Sequence, residues 1–146
     1  MSALQEQVNG EHYKHKTIQR VEFTMANRWD DCSSSALKYL IRFRDKGLPV
    51  VDLRKAHHFV RLREETLPLA RGDNGEFFNW RTVITMERFV HDNQIADGDQ
   101  IAALLALRDY VHMGAINPAY YEKCLHKIDV LITMTQSAVT QETQNG

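Results

Sequence analysis

An all-α fold is predicted for this 146-residue chain by two features of its sequence. Apolar residues recur at three- and four-residue spacing through six stretches, and those stretches are bounded by helix start and stop residues. The length suits one domain, or one domain with an appendage, and is enough to bury a sizeable core. A content of 43% hydrophobic and 25% charged residues is that of an ordinary globular protein, so a packed helical unit is expected.

Residues 1–11 and 136–146 are polar and are expected to be loose. Ile18, Val21, Met25 and Trp29 share a helical stripe, which predicts a first helix over about 16–28 ending near Trp29. Asp30, Asp31 and Ser33 to Ser35 offer N-caps for a second helix running to about Asp45, and Gly47 ahead of Pro49 is a stop signal. The third helix follows Pro49, with Leu53, Ala56 and Val60 on one stripe, and continues to about Glu65. LPLARGDNGEFFN, residues 67–79, is rich in turn formers and is expected to be a linker or loop. Three further helices are predicted. The first spans about 79–95 with Val83, Met86, Phe89 and Val90; the second spans about 98–113 with Ile101, Leu104, Leu105 and Val111 before a Gly114 cap. The last spans about 118–135, opened by Asn117-Pro118. The expected organisation is a compact helical domain over 10–66, the linker over 67–79, and a C-terminal helical extension over 80–136. Its amphipathic positions Tyr121, Leu125, Ile128, Val130 and Leu131 point to homo-oligomerisation or to a host protein partner.

The charge is strongly polarised. Residues 36–63 hold eight Lys or Arg against two Asp, a net of +6, whereas residues 64–146 carry −6 and residues 1–35 carry −1. Within the basic segment Lys38, Arg42 and Lys46 stand at i, i+4 and i+8, within about 80° of one another on a helix, and Asp52 and Lys55 follow. Such a ridge is either a solvated face or an anion site. A compact positive segment beside an acidic remainder suits a small phosphate-bearing ligand better than duplex nucleic acid, whose backbone the acidic part would repel.

Several classes are absent from the sequence. No GKS or GKT loop is present, so an ordinary P-loop kinase is excluded; no GxGxxG, GxSxG, HExxH or CxxC occurs either. The carboxylate clusters of helical pyrophosphatases are missing, since no two Glu have ExxE spacing. His57 and His58 are adjacent and diverge on a helix, and His91, His112 and His126 have no ligand spacing, so no metal site is expected. Cys32 and Cys124 are expected to be free thiols. No apolar run reaches the roughly 20 residues of a membrane span, and MSALQEQVNGEH lacks the pattern of a signal segment, so a cytoplasmic location is expected.

The pattern His12-Tyr13, Ile18, Val21-Glu22, Leu37-Lys38-Tyr39, Arg42, Lys46, Asp52-Leu53 and Lys55-Ala56 resembles a small bacteriophage domain family. That family includes the non-P-loop deoxynucleotide kinase of the T-seven-like coliphages and many phage proteins of unknown function. The similarity covers about residues 10–66. It implies a phage-encoded protein acting in the infected host cell, with a nucleotide ligand and a nucleoside triphosphate as phosphate donor. Where the family carries Gly-Asn this chain has Ser34 and Ser35; serine can still cap a helix and donate to phosphate, but the amide that would read a base or sugar is gone.

For phosphoryl transfer the candidate catalytic residues are Arg42, Lys38 and Asp52, and the candidate ligand-binding residues are His12, Tyr13, Ser35, Lys38, Arg42, Lys46 and Lys55. The cations supply charge stabilisation, Arg42 as a fork and the lysines as point charges. Asp52 could orient a cation, hold magnesium through water, or simply pair with Lys55 at i+3. His12 and Tyr13 are ligand contacts or a docking anchor. Arg44 falls inside the apolar arc of its helix, where it either snorkels or crosses a subunit boundary to a carboxylate or phosphate. Phe77, Phe78 and Trp80 could stack on a base or pack in a core. Two readings from other classes stand beside a kinase: a non-catalytic protein that sequesters a nucleotide or nucleotide signal against host defence, and a helical interaction or assembly module.

Overall fold

The computed structural model describes residues 3–4, 18–45, 47–70 and 82–145. The described residues form six helices and no strand: α1 (Arg20–Asn27), α2 (Asp31–Arg42), α3 (Pro49–Ala70), α4 (Met86–Asp92), α5 (Gly98–Met113) and α6 (Ala119–Asn145). The all-α expectation therefore holds. None of these helices is long and apolar enough to cross a membrane.

Local chemistry sets most boundaries. The Asp30 carboxylate accepts from the Ser33 backbone N–H at 2.8 Å and opens α2, and Asp97 opens α5 in the same way through Gln100. Pro49 is the first residue of α3, where its missing N–H costs nothing. Gly114 ends α5, and a Cβ there would lie 2.5 Å from the Tyr110 carbonyl oxygen and 2.6 Å from its ring. Close approach, rather than a left-handed backbone, is what requires the glycine.

Four helices close a ring: α2 packs on α3 and α5, and α6 packs on the same two. Ala36, Leu37, Leu40, Leu53, Ala56, Leu104, Leu107 and Ile128 lie fully buried at its centre. The expected 10–66 and 80–136 segments therefore contribute to one core. α1 lies on α2 and α4 on α5, joined by the Phe23 and Phe89 rings 5.0 Å apart. Two buried asparagines sew this layer. Asn27 accepts from the Val83 and Ile84 N–H groups and donates to the Ile84 carbonyl, and Asn93 exchanges two 2.8 Å bonds with the Ile18 backbone.

Four expectations are corrected. α1 buries Phe23, Thr24 and Asn27 and leaves Val21 and Met25 exposed, because Phe23 packs between Trp29 and Phe89. The fourth helix starts only at Met86, since Asn27 holds 83–84 in a non-helical bend and Thr85 caps the turn that follows. Helix α3 runs on to Ala70, so residues 67–70 of the expected linker are helical; Pro68 falls in its last turn. The 136–145 segment continues α6 because it contains no breaker, and Ala138 and Val139 prolong the apolar stripe.

Candidate functional site

The short turn between α2 and α3 makes these helices antiparallel neighbours, and it brings the basic residues of both together. Tyr39 is the centre of the group. Its ring stacks on Phe59 of α3 with centroids 6.0 Å apart and planes 14° from parallel. The Lys38 Nζ lies 4.7 Å from the Tyr39 centroid, the Arg42 Cζ 4.7 Å, and the Lys55 Nζ 5.4 Å. The electron-rich ring face attracts each cation by about 0.5–2 kcal/mol, which offsets part of their mutual repulsion.

Asp52 lies beneath this group, with only 4% of its surface exposed. Its Oδ2 is 3.5 Å from the Arg42 Nε, an ion pair without an aligned hydrogen bond, and both atoms are buried with no hydrogen-bond partner. The carboxylate therefore faces Arg42, not Lys55. Removing Arg42 would leave Asp52 buried and uncompensated, so its truncation perturbs the fold as well as the surface.

Of the residues predicted from the sequence, the structure brings together Lys38, Arg42, Asp52 and Lys55. Ser35 is part-buried one turn ahead of Lys38 and Tyr39. His12, Tyr13 and Lys46 lie outside the described residues, as do Phe77, Phe78 and Trp80. Arg44 snorkels over the Phe43 ring to the carboxylate of Asp97 at 2.6 Å, within the same chain. His57 reaches Asp129 of α6 at 3.4 Å, and His58 is exposed beside Phe59.

Sequence reasoning missed a second polar group, buried where α2, α3 and α5 meet. Arg63 is buried; its Nε donates to the Asp30 Oδ2 at 2.9 Å and its guanidinium lies 4.8 Å from the Tyr110 centroid. The Tyr110 hydroxyl donates to Glu64 at 2.9 Å. Burial alone would raise the Asp30 pKa, but the Arg63 charge and the bonds from Ser33 and Arg63 outweigh it and hold the carboxyl below its usual range. Burial pushes Tyr110 well above its usual value, and the Cys124 thiol up to about 12. The cluster satisfies and orients buried polar groups at the meeting point of three helices. Cys32 and Cys124 are free thiols, the first part-exposed and the second buried.

Among the described residues, no three His, Cys, Asp or Glu come together as metal ligands. A groove of about 390 Å³ is lined by Phe43, Pro49, Leu131, Met134, Ala138 and Val139 together with the polar side chains of Arg44, Thr135 and Glu142. None of the clustered cations lines it. No family model matches the chain, and neither a curated protein nor a solved structure does.

Proposed function

We propose that this chain is a nucleotide-binding protein that holds the phosphate end of its ligand on Lys38, Arg42 and Lys55. The observation that carries the reading is the gathering of three cations around one buried tyrosine ring, with a single enclosed carboxylate as counter-charge. Cations placed this closely on a solvent-accessible face repel one another, and a bound anion relieves that repulsion. The resemblance to the phage kinase family runs through the same residues and supports phosphoryl transfer from a nucleoside triphosphate to a deoxynucleoside monophosphate. The terminal phosphoryl leaves the donor as the donor becomes a diphosphate, and it bonds to a phosphate oxygen of the acceptor, giving a second diphosphate. In such a transfer the protein supplies position and charge, which these side chains can do. Asp52 orients Arg42; its enclosure argues against its holding a hydrated magnesium ion, which would arrive with the donor. His12, Tyr13, Ser35 and Lys46 complete the proposed site by resemblance.

The test is a panel of deoxynucleoside monophosphates incubated with triphosphate donors, with bound ligand and new diphosphate read on the same samples. Binding with diphosphate formation supports the kinase. Binding without it favours a nucleotide-sequestering protein, and no binding refutes both.

A second reading, assembly through α6, is favoured by one observation. At 27 residues this helix is about 40 Å long against about 24 Å for α5, and beyond Leu131 none of its described residues is buried. Met134 and Val139 are 49% and 45% exposed along the groove. A second copy laid on this face would cover them. Light scattering on the full chain and on Val139→Asp tests this: the variant should have half the mass or less, and equal masses contradict the reading.

A further inference from the structure

The chemistry of the cation cluster specifies more than a phosphate. We infer that the site takes the dianionic phosphomonoester end of its ligand, discriminates against a phosphodiester, and does not grip a base by stacking on Tyr39 or Phe59; the inference rests on the nucleotide-binding reading above. Lys38, Arg42 and Lys55 surround Tyr39 while Asp52 compensates one of them, which leaves these four described groups a net charge of +2, to which Lys46, assigned by resemblance, would add. A phosphomonoester carries about −1.5 to −2 at neutral pH, which matches that residue of charge, whereas a diester carries one negative charge and leaves a cation unanswered.

The second half concerns the aromatic groups. A base is gripped without sequence preference when it stacks on an open ring face. Tyr39 is only 9% exposed, its faces are occupied by the three cations and by Phe59, and Phe59 is half-buried against it. No described aromatic face at this site is open to a base. Specificity there comes from the charge of the terminal group and from its three free oxygens, which Arg42 can engage as a fork and the two lysines as point charges. Any 5′-phosphorylated sugar offers the same handle.

Four probes titrated calorimetrically into the full chain test this: thymidine 5′-monophosphate, its methyl phosphodiester, ribose 5-phosphate and thymidine. Ribose 5-phosphate is expected within about threefold of the nucleotide, the methyl ester about tenfold weaker because one charge is missing, and thymidine silent. A methyl ester that binds as tightly as the nucleotide, or a silent ribose 5-phosphate beside a bound nucleotide, overturns the inference and leaves the nucleotide reading standing. If none of the three phosphates binds, the nucleotide reading fails and the inference falls with it. The exposed Lys55 gives an independent arm, since Lys55→Met leaves the Arg42–Asp52 pair in place. It should shrink the preference for the monoester over the methyl ester from about tenfold to about threefold. An unchanged preference overturns the charge-matching argument.

Discussion

Replacing Arg63 by Met removes a buried charge while keeping most of the apolar stem, and its consequence can be worked from the contacts. The guanidinium pairs with Asp30 at 2.9 Å, with side-chain exposures of 8% and 25%. Breaking such a pair from one side costs about 3–5 kcal/mol, because the partner is left charged in a poor solvent. Asp30 is a quarter exposed and keeps both bonds from Ser33, which places this case at about 3 kcal/mol. For a chain of this length that corresponds to a drop in Tm of about 10 °C, followed by circular dichroism. The double variant Arg63→Met/Asp30→Asn retains a capping side chain and strands no charge, so it should recover about 2 kcal/mol of the loss. The pH dependence carries a sign of its own. In the natural chain the Asp30 pKa is lowered, so its contribution is present above the unfolded value near 3.8 and is lost as pH falls through the folded one. Without Arg63 the main influence that lowers the Asp30 pKa is gone, so the carboxyl takes up its proton at higher pH than in the natural chain and the penalty of Arg63→Met should shrink on acidification. A loss below about 1 kcal/mol, no recovery in the double variant, or a penalty that grows as pH falls would refute the assignment of this pair as buried and coupled.

Two further predictions rest on single sites. Asn27→Ala leaves the Val83 and Ile84 N–H groups without their acceptor and should cost about 2–4 kcal/mol in urea unfolding; a change below about 1 kcal/mol would contradict the role given to Asn27. The native chain should present one thiol, Cys32, to an aromatic disulfide reagent on the time scale of minutes. Cys124 is fully buried with its pKa pushed to about 12, so it should react only on unfolding, and two fast thiols would show that α6 does not cover it.

What the sequence made legible were features that act within a few residues. The Asp30 cap, Pro49 start and Gly114 stop are local chemistry, and α2, α3, α5 and α6 follow from them and from the apolar stripes. The burial face of α1 did not follow, because Val21 and Met25 fit a helical stripe as well as Phe23 and Asn27 do. The choice is made by Phe89 and by the backbone at 83–84, more than fifty residues away. The far end of α6 was hidden by its polar composition. In the site, the ridge residues Lys38 and Arg42 were visible from their spacing, but the role of Tyr39 needed Phe59 and Lys55 from the neighbouring helix. Arg63 did carry a signal: with Leu53, Ala56, Val60 and Leu67 it continues the stripe at 53, 56, 60, 63 and 67, where a charge must find a buried partner.

The central claim, that the cations around Tyr39 hold a phosphate group, is tested most directly by titrating thymidine 5′-monophosphate into the natural chain and into Lys38→Met/Lys55→Met. Both substitutions spare the Arg42–Asp52 pair, so the helical fold, followed by circular dichroism, should be retained. The account predicts saturable binding by the natural chain and about a hundredfold weaker binding by the variant, roughly tenfold per charge removed. Equal affinities for the two proteins, or no binding by the natural chain, would contradict it.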